Sequence, residues 1–388
     1  MITTAEHRPR LPMGELSDYS TAPSLMRVEN ASDRLTLTWE SGEQSGFSLT
    51  WMRDHCACAE CRHAKTRERL HIPLEHPGNV SDAHLTDGNL ELTWVDGHQS
   101  RFDAGWLHQR RPGQKSIGVI PPRRPWGEAF RPVSVAHADF IAGADGERAW
   151  LTALLRDGLV LLDDGPLADE EVSRLAERIG PLRATNFGTR FDVRSKPNPN
   201  NAAYTAIGLA PHTDLPNWRQ PPDIQLLYCL ENGANGGEST FSDGFAAAKT
   251  LRERSPAAFR LLSETPIDFR FQDEHHDISW RAPILTLDAT GELLEVRFNN
   301  WIRDTLHLPP EQADAWYSAY RELWHLIHEP SQRLEFSLKP GQMVAFDNRR
   351  MLHGRNAFDP NSGRRHLQGT YLDLDMLESR LKVLARPA

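Results

Sequence analysis

His212, Asp214 and His353 are the residues whose types and spacing most directly suggest chemistry. The first two stand in Pro211-His212-Thr213-Asp214 and the third in Leu352-His353-Gly354. A His-x-Asp pair with a distant His is the sequence form of the two-histidine, one-carboxylate face that binds non-haem Fe(II) and leaves positions open for O2 and a co-substrate. Residues i and i+2 of a strand share a face, so a strand would let His212 and Asp214 reach one metal together. Such pairs also arise by chance among 17 His and 53 acidic residues; Asp82 and His84 form one in reverse order that reads as surface. Arg365 adds weight to the triad: it lies twelve residues past His353, in Gly363-Arg364-Arg365-His366-Leu367. Its guanidinium fork matches a carboxylate. One strand beyond the distal His, it would clamp the tail carboxylate of a 2-oxoacid; otherwise Arg364 and Arg365 form a solvated basic turn.

The elements that must position these residues read as mainly β with covering helices (α+β). Gly158–Leu162 is a short buried apolar run, and 223–230, 238–242, 294–298, 334–338, 342–346 and 366–373 read as strands. Residues 136–155, 168–179, 245–263 and 310–328 carry helical spacing, the second stopped by Gly180-Pro181. Many short strands with few helices predict a jelly-roll, which closes its edges and leaves an open mouth for a site. Gly341 fits a turn into the strand that delivers His353.

In front of this domain the chain repeats itself. Leu35-Thr-Leu-Thr-Trp39 with its turn and second run to Trp51 returns as Leu90-Glu-Leu-Thr-Trp94 with a run to Trp106. Each copy predicts a β-hairpin, and each closing Trp is expected to pack under its hairpin. Between the copies lies Asp54-His55-Cys56-Ala57-Cys58-Ala59-Glu60-Cys61. Three thiolates and one imidazole make a closed set that suits structural Zn(II). His55, His63, His71 and His98 are the candidate fourth ligands. The repeat favours His98, because the first copy carries Glu43 at the matching place, and His55 would strain a site beside Cys56. Otherwise the three are buried thiols. Cys229, in the apolar run Leu226–Leu230, reads as a core thiol.

The 388 residues divide on this reading into a tail at 1–24, a zinc-binding β-rich domain at 25–111, a Pro-rich linker at 112–126 and an oxygenase domain at 127–388. A net charge of −9 and a pI near 6.0 give no electrostatic case for nucleic acid. No apolar run is long enough to span a membrane, and the polar first 24 residues do not form a secretory signal. Four Cys with three in one cluster are not a disulfide framework, so a cytoplasmic protein is expected.

The chain resembles the γ-butyrobetaine dioxygenase family of Fe(II)/2-oxoglutarate oxygenases, within the taurine dioxygenase-like group. The resemblance runs from about residue 35 to 384 and rests on Trp51–Cys61, Ala202–Thr205, His212–Asp214, Gly236-Gly237, Asp243–Phe245, Phe298–Asn300, Phe346–Arg349, Leu352–Gly354, Arg365–Leu367 and Gly369–Tyr371. Trimethyllysine dioxygenases and hydroxylases of trimethylammonio-ethylphosphonate share the pattern. The resemblance implies a double-stranded β-helix with Fe(II) on His212, Asp214 and His353, and 2-oxoglutarate held by Arg365. It implies oxidative decarboxylation to succinate and CO2 with O2, coupled to hydroxylation, and Zn(II) on Cys56, Cys58, Cys61 and His98. It also implies a homodimer.

Quaternary ammonium ions are recognised by aromatic faces, and the family's cage positions match Phe187, Phe191, Tyr204 and Tyr371. Animal members carry Tyr and Trp where Phe187 and Phe191 stand, and a Tyr where Leu215 stands. Asn201 and Asn299 match positions that bind a substrate carboxylate. A phosphonate would favour an Arg, for which Arg297, Arg303 and Arg190 are candidates. The leading expectation is hydroxylation of γ-butyrobetaine to L-carnitine. The alternatives are hydroxylation of 2-(trimethylammonio)ethylphosphonate, a non-catalytic quaternary-ammonium binder, and a zinc-dependent interaction protein.

Overall fold

The structure is a computed structural model that describes residues 10–14, 16, 19, 23–31, 33–72, 78–113, 118–194 and 205–386. The chain forms two compact units, Met1–Val119 with Ala385–Ala388, and Ile120–Leu384.

In the first unit the repeat is longer than the two hairpins expected. Each copy is a three-stranded antiparallel sheet followed by a one-turn-plus helix. The first runs Leu25–Asn30, Arg34–Trp39, Gln44–Ser48 and Leu49–Asp54, and the second Val80–Thr86, Asn89–Trp94, Gln99–Phe102 and Ala104–Gln109. The added first strands escape the reading because their partly exposed residues, as in Leu25-Met-Arg-Val-Glu-Asn30, break the apolar alternation. Ser48 and Asp103 cap the helices by accepting backbone N–H groups, as an N-cap oxygen does. The copies agree in their interior too. Trp39 Nε1 donates to Ser45 Oγ at 3.0 Å, and Trp94 Nε1 to Ser100 Oγ at 2.9 Å. Trp51 and Trp106 pack with ring centroids 5.6 Å apart.

In the second unit two sheets share a core. A six-stranded sheet has the order Val133–Ala136, Leu159–Asp163, Met343–Asp347, Ile224–Asn232, Arg365–Leu372 and Arg190–Val193; a four-stranded sheet has the order Leu209–His212, Met351–Arg355, Ser239–Asp243 and Arg333–Phe336. All pairings are antiparallel except that of the first two strands. The strand alternation sorts side chains between two layers. Val160, Leu162, Met343 and Ala345 face the helices Ala144–Asp157, Glu171–Glu177 and Leu374–Leu384, whereas Leu159, Leu161, Val344 and Phe346 meet Phe241 and Met351 of the smaller sheet. Helices Gly244–Arg254, Pro256–Glu264 and Pro310–Ile327 form a further cluster with two small hairpins.

Three expectations need correction. The segment 136–155 is two helices, His137–Ala142 and Ala144–Asp157, because Gly143 takes an extended backbone that ends the i→i−4 ladder. The segment 245–263 breaks at Pro256, which lacks the N–H to continue a helix but suits the first turn of the next. Gly341 does lead into Met343–Asp347, yet that strand does not carry His353. The turn closed by Arg350 N–H on Asp347 O reverses the chain into the smaller sheet, and Met351–Arg355 delivers the histidine.

Candidate active site

Cross-strand register brings the two histidines together. His212 is the last residue of Leu209–His212 and pairs directly with His353 of Met351–Arg355, so their rings lie 4.3 Å apart. Asp214 is not on a strand, contrary to the simple alternation argument. The strand stops at His212, and Asn348 then fixes the next residues. Asp214 N–H donates to Asn348 Oδ1 at 2.7 Å, while Asn348 Nδ2 donates to Asp214 O at 3.0 Å and Pro222 O at 2.9 Å. The chain leaves through Leu215, whose φ of 54° is uncommon for a branched side chain.

The donor atoms converge. Asp214 Oδ1 lies 3.4 Å from His212 Nε2 and 3.7 Å from His353 Nε2. One ligand atom from each residue falls within 4.8 Å of the others. His212 Nδ1 lies 2.9 Å from Ala210 O, which as a donor leaves the Nε2 lone pair free. Burial, then the neighbouring His212, pushes the His353 imidazole down to about 3, so it is neutral near pH 7. Burial acts to raise Asp214, but His353, His212 and the Tyr371 hydroxyl outweigh it and hold the carboxyl below its usual range. A neutral His353 imidazole and a carboxylate, both drawn to one point with His212, are a donor set suited to a divalent cation.

These three residues line a cavity of about 380 Å³ together with Arg365, Phe187, Phe191, Tyr371 and Asn299. Arg365 is partly buried, loses basicity through desolvation, has a buried Nε with no hydrogen-bond partner, and meets no carboxylate among the described residues. Asn201 and Tyr204 lie outside the described residues. Asn299 already uses its amide, donating to Thr213 O at 3.2 Å and accepting from Trp301 N at 3.0 Å. Arg297, Arg303 and Arg190 do not line the cavity. Arg297 is bound to Glu295 and three backbone carbonyls, Arg303 lies over the Trp316, Tyr317 and Tyr320 rings, and Arg190 pairs with Asp169 and Glu170.

Among the cavity residues that escaped the sequence reading are three with aromatic or charged side chains, Phe271, Trp301 and Arg355. Phe271 packs edge-on against Phe187 at 5.7 Å, and Trp301 against His212 at 4.9 Å. Phe271 sits in the alternating run Ile267-Asp-Phe269-Arg-Phe271, so its strand was detectable though its direction was not. Arg355 stands beside Arg365, its guanidinium donating to Thr205 O and Ile207 O. Burial and then Arg365 lower it to about 10.

In the first unit, His98 Nε2 lies 3.4, 3.7 and 3.6 Å from the sulfurs of Cys56, Cys58 and Cys61. Burial and the mutual proximity of the thiols raise the Cys61 thiol, a cost that a bound cation would remove. His55 stacks on Trp51 and bonds its carbonyl, and His63 accepts from Thr66 N–H. Neither joins the cluster, and nor does His71.

A two-histidine, one-carboxylate face opening into an apolar cavity lined by an Arg whose Nε has no partner defines a non-haem metal oxygenase. Residues 122–371 match the taurine catabolism dioxygenase TauD, TfdA family, and residues 26–108 match the γ-butyrobetaine hydroxylase-like N-terminal family. The γ-butyrobetaine dioxygenase of Pseudomonas sp. (strain AK-1) is 39% identical over 96% of this chain and 100% of its own. That of Homo sapiens is 32% identical over 90% of this chain and 94% of its own. The mitochondrial trimethyllysine dioxygenase of Mus musculus is 32% identical over 91% of this chain and 86% of its own. The chain belongs to the γ-butyrobetaine dioxygenase family, and so is a dioxygenase of the Fe(II)/2-oxoglutarate type.

Proposed function

We propose that this enzyme hydroxylates γ-butyrobetaine to L-carnitine, using Fe(II) held by His212, Asp214 and His353. The observation that carries the reading is the cavity itself, in which the triad adjoins Phe187, Phe191, Phe271, Trp301 and Tyr371. Bound there, iron with 2-oxoglutarate and O2 would supply the oxidising chemistry, giving succinate and CO2 and one hydroxyl on the substrate. The chain's own residues bind and orient. The imidazole Nε2 atoms and Asp214 Oδ1 point at one place. Arg365 offers its fork to the distal carboxylate of 2-oxoglutarate. The aromatic faces hold a trimethylammonium group, which cannot donate hydrogen bonds, at roughly 0.5–2 kcal/mol per ring. The remaining Asn299 N–H, with Asn201, suits a monoanionic carboxylate.

A phosphonate dianion is less well served: Arg297, Arg303 and Arg190 are engaged away from the cavity, and Arg355, which lines it, already donates to Thr205 O and Ile207 O. A pure binder would not need three converging metal donors. We read the second unit as a double-stranded β-helix preceded by a zinc-braced domain at about 25–111, with Zn(II) on Cys56, Cys58, Cys61 and His98. The homodimer that the family suggests is open to light scattering.

Succinate formation by the Fe(II)-loaded protein tests the function. γ-Butyrobetaine should stimulate it more, per unit affinity, than trimethyllysine or 2-(trimethylammonio)ethylphosphonate. Equal or greater turnover of either competitor would overturn the substrate assignment.

A further inference from the structure

We propose that Tyr371 is a positioning residue for Asp214, holding one carboxylate oxygen so that the other alone is offered to a metal. The inference rests on the reading of His212, Asp214 and His353 as metal ligands.

The two oxygens of Asp214 have different surroundings. Oδ1 faces both imidazoles, at 3.4 and 3.7 Å from their Nε2 atoms. Oδ2 accepts the Tyr371 hydroxyl at 2.7 Å. The backbone of Asp214 is already fixed by its reciprocal bonds with Asn348. What freedom remains is rotation of the side chain, and the phenol opposes that rotation. Tyr371 itself is anchored. It is 3% exposed, pairs with Gln225 of the neighbouring strand, accepts Arg183 N–H on its carbonyl at 2.8 Å, and its ring rests on Phe191 at 5.2 Å. A hydroxyl on so rigid a base holds Oδ2 away from the convergence point.

The consequence is a count of open positions. A six-coordinate metal on three protein donors keeps three sites, enough for a two-point 2-oxoacid chelate and O2. If Asp214 contributed both oxygens, chelation of the 2-oxoacid would leave no room for O2. Tyr371 would then serve two ends of the cavity at once. Its ring lines the aromatic wall, and its hydroxyl preserves the vacancy on the metal.

The test compares wild type with Tyr371→Phe, full-length and metal-free, then reloaded with Mn(II). Water-proton relaxation counts the waters on the bound ion, and titration gives the dissociation constant for 2-oxoglutarate. The variant is expected to bind Mn(II), to carry one fewer water, and to hold 2-oxoglutarate at least 5-fold more weakly. γ-Butyrobetaine affinity should change less than 3-fold, since the ring is kept. An unchanged water count with unchanged 2-oxoglutarate affinity would overturn the proposal. So would a folded variant that no longer binds Mn(II), because the hydroxyl would then supply metal affinity instead of limiting the carboxylate. Wild-type protein that binds no Mn(II) would instead overturn the reading of the triad on which the proposal rests.

Discussion

Asp214 is gripped at its backbone by Asn348 and at its carboxylate by Tyr371. Asn348 is 1% exposed and spends both ends of its amide on this task. Replacing it with Ala leaves the Asp214 N–H and two carbonyls without their partner. Metal affinity is expected to fall by about 10–100-fold, the range for losing a group that orients a ligand, with Fe(II) or Mn(II) titration as the measurement. Arg365 is the second sensitive residue. Truncation to Met removes a charge-assisted hydrogen bond worth about 1.5–3 kcal/mol, a factor of roughly 10–150 in affinity. The dissociation constant for 2-oxoglutarate should rise by that factor while substrate affinity moves little. Equal weakening of both ligands would argue against Arg365 as the co-substrate clamp.

At the level of elements, Gly354 explains why the two histidines can be neighbours. Its strand, Met351–Arg355, runs between Leu209–His212 and Ser239–Asp243. A Cβ on Gly354 would meet Leu209 O at 2.5 Å and Thr240 Oγ1 at 2.8 Å. Gly354→Ala must push the outer strand away and carry His212 with it. A cost of about 1–3 kcal/mol in stability is expected, read in urea unfolding of the metal-free protein, together with a loss of metal affinity larger than the stability loss alone would cause. The same strand shows where sequence reading stops. The His-Gly pair was visible, but Arg355 next to it was not recognised as a cavity residue. Its direction follows from strand pairing with Leu209, a contact nearly 150 residues distant in sequence.

For the whole molecule, the cysteines report on each unit separately. Cys56, Cys58 and Cys61 cluster with His98, and Cys229 is fully buried in the second unit with its thiol pushed up to about 11 by burial. At pH 8 only about one in a thousand Cys229 groups is thiolate, so it reacts slowly on both counts. The sign is that of a buried acid held neutral: reactivity rises with pH toward 11 and is suppressed below it. If Zn(II) is held by the cluster as proposed, a chelator should expose three thiols to a disulfide reagent, with the fourth appearing only on denaturation. Loss of a folding-coupled metal should also lower the thermal midpoint by more than about 10 °C. No described helix is long and apolar enough to cross a membrane.

Much of this protein was written locally. The residue types of the triad, the Cys cluster with His98, the 55-residue repeat, and the strands Ile224–Asn232, Ser239–Asp243, Leu293–Val296, Arg333–Phe336, Met343–Asp347 and Arg365–Leu372 announce themselves through spacing and alternation. Those signals span a few residues, and local sterics and hydrophobic patterning are enough to produce them. Tertiary structure decided what depends on register across distant strands. It placed Asp214 beyond its strand under the hold of Asn348, and turned Phe271, Trp301 and Arg355 into the cavity. It also committed Arg297, Arg303 and Arg190 elsewhere. A side chain's face is set by its own strand, but its neighbours are set by which strand lies opposite, and that pairing is a property of the folded chain.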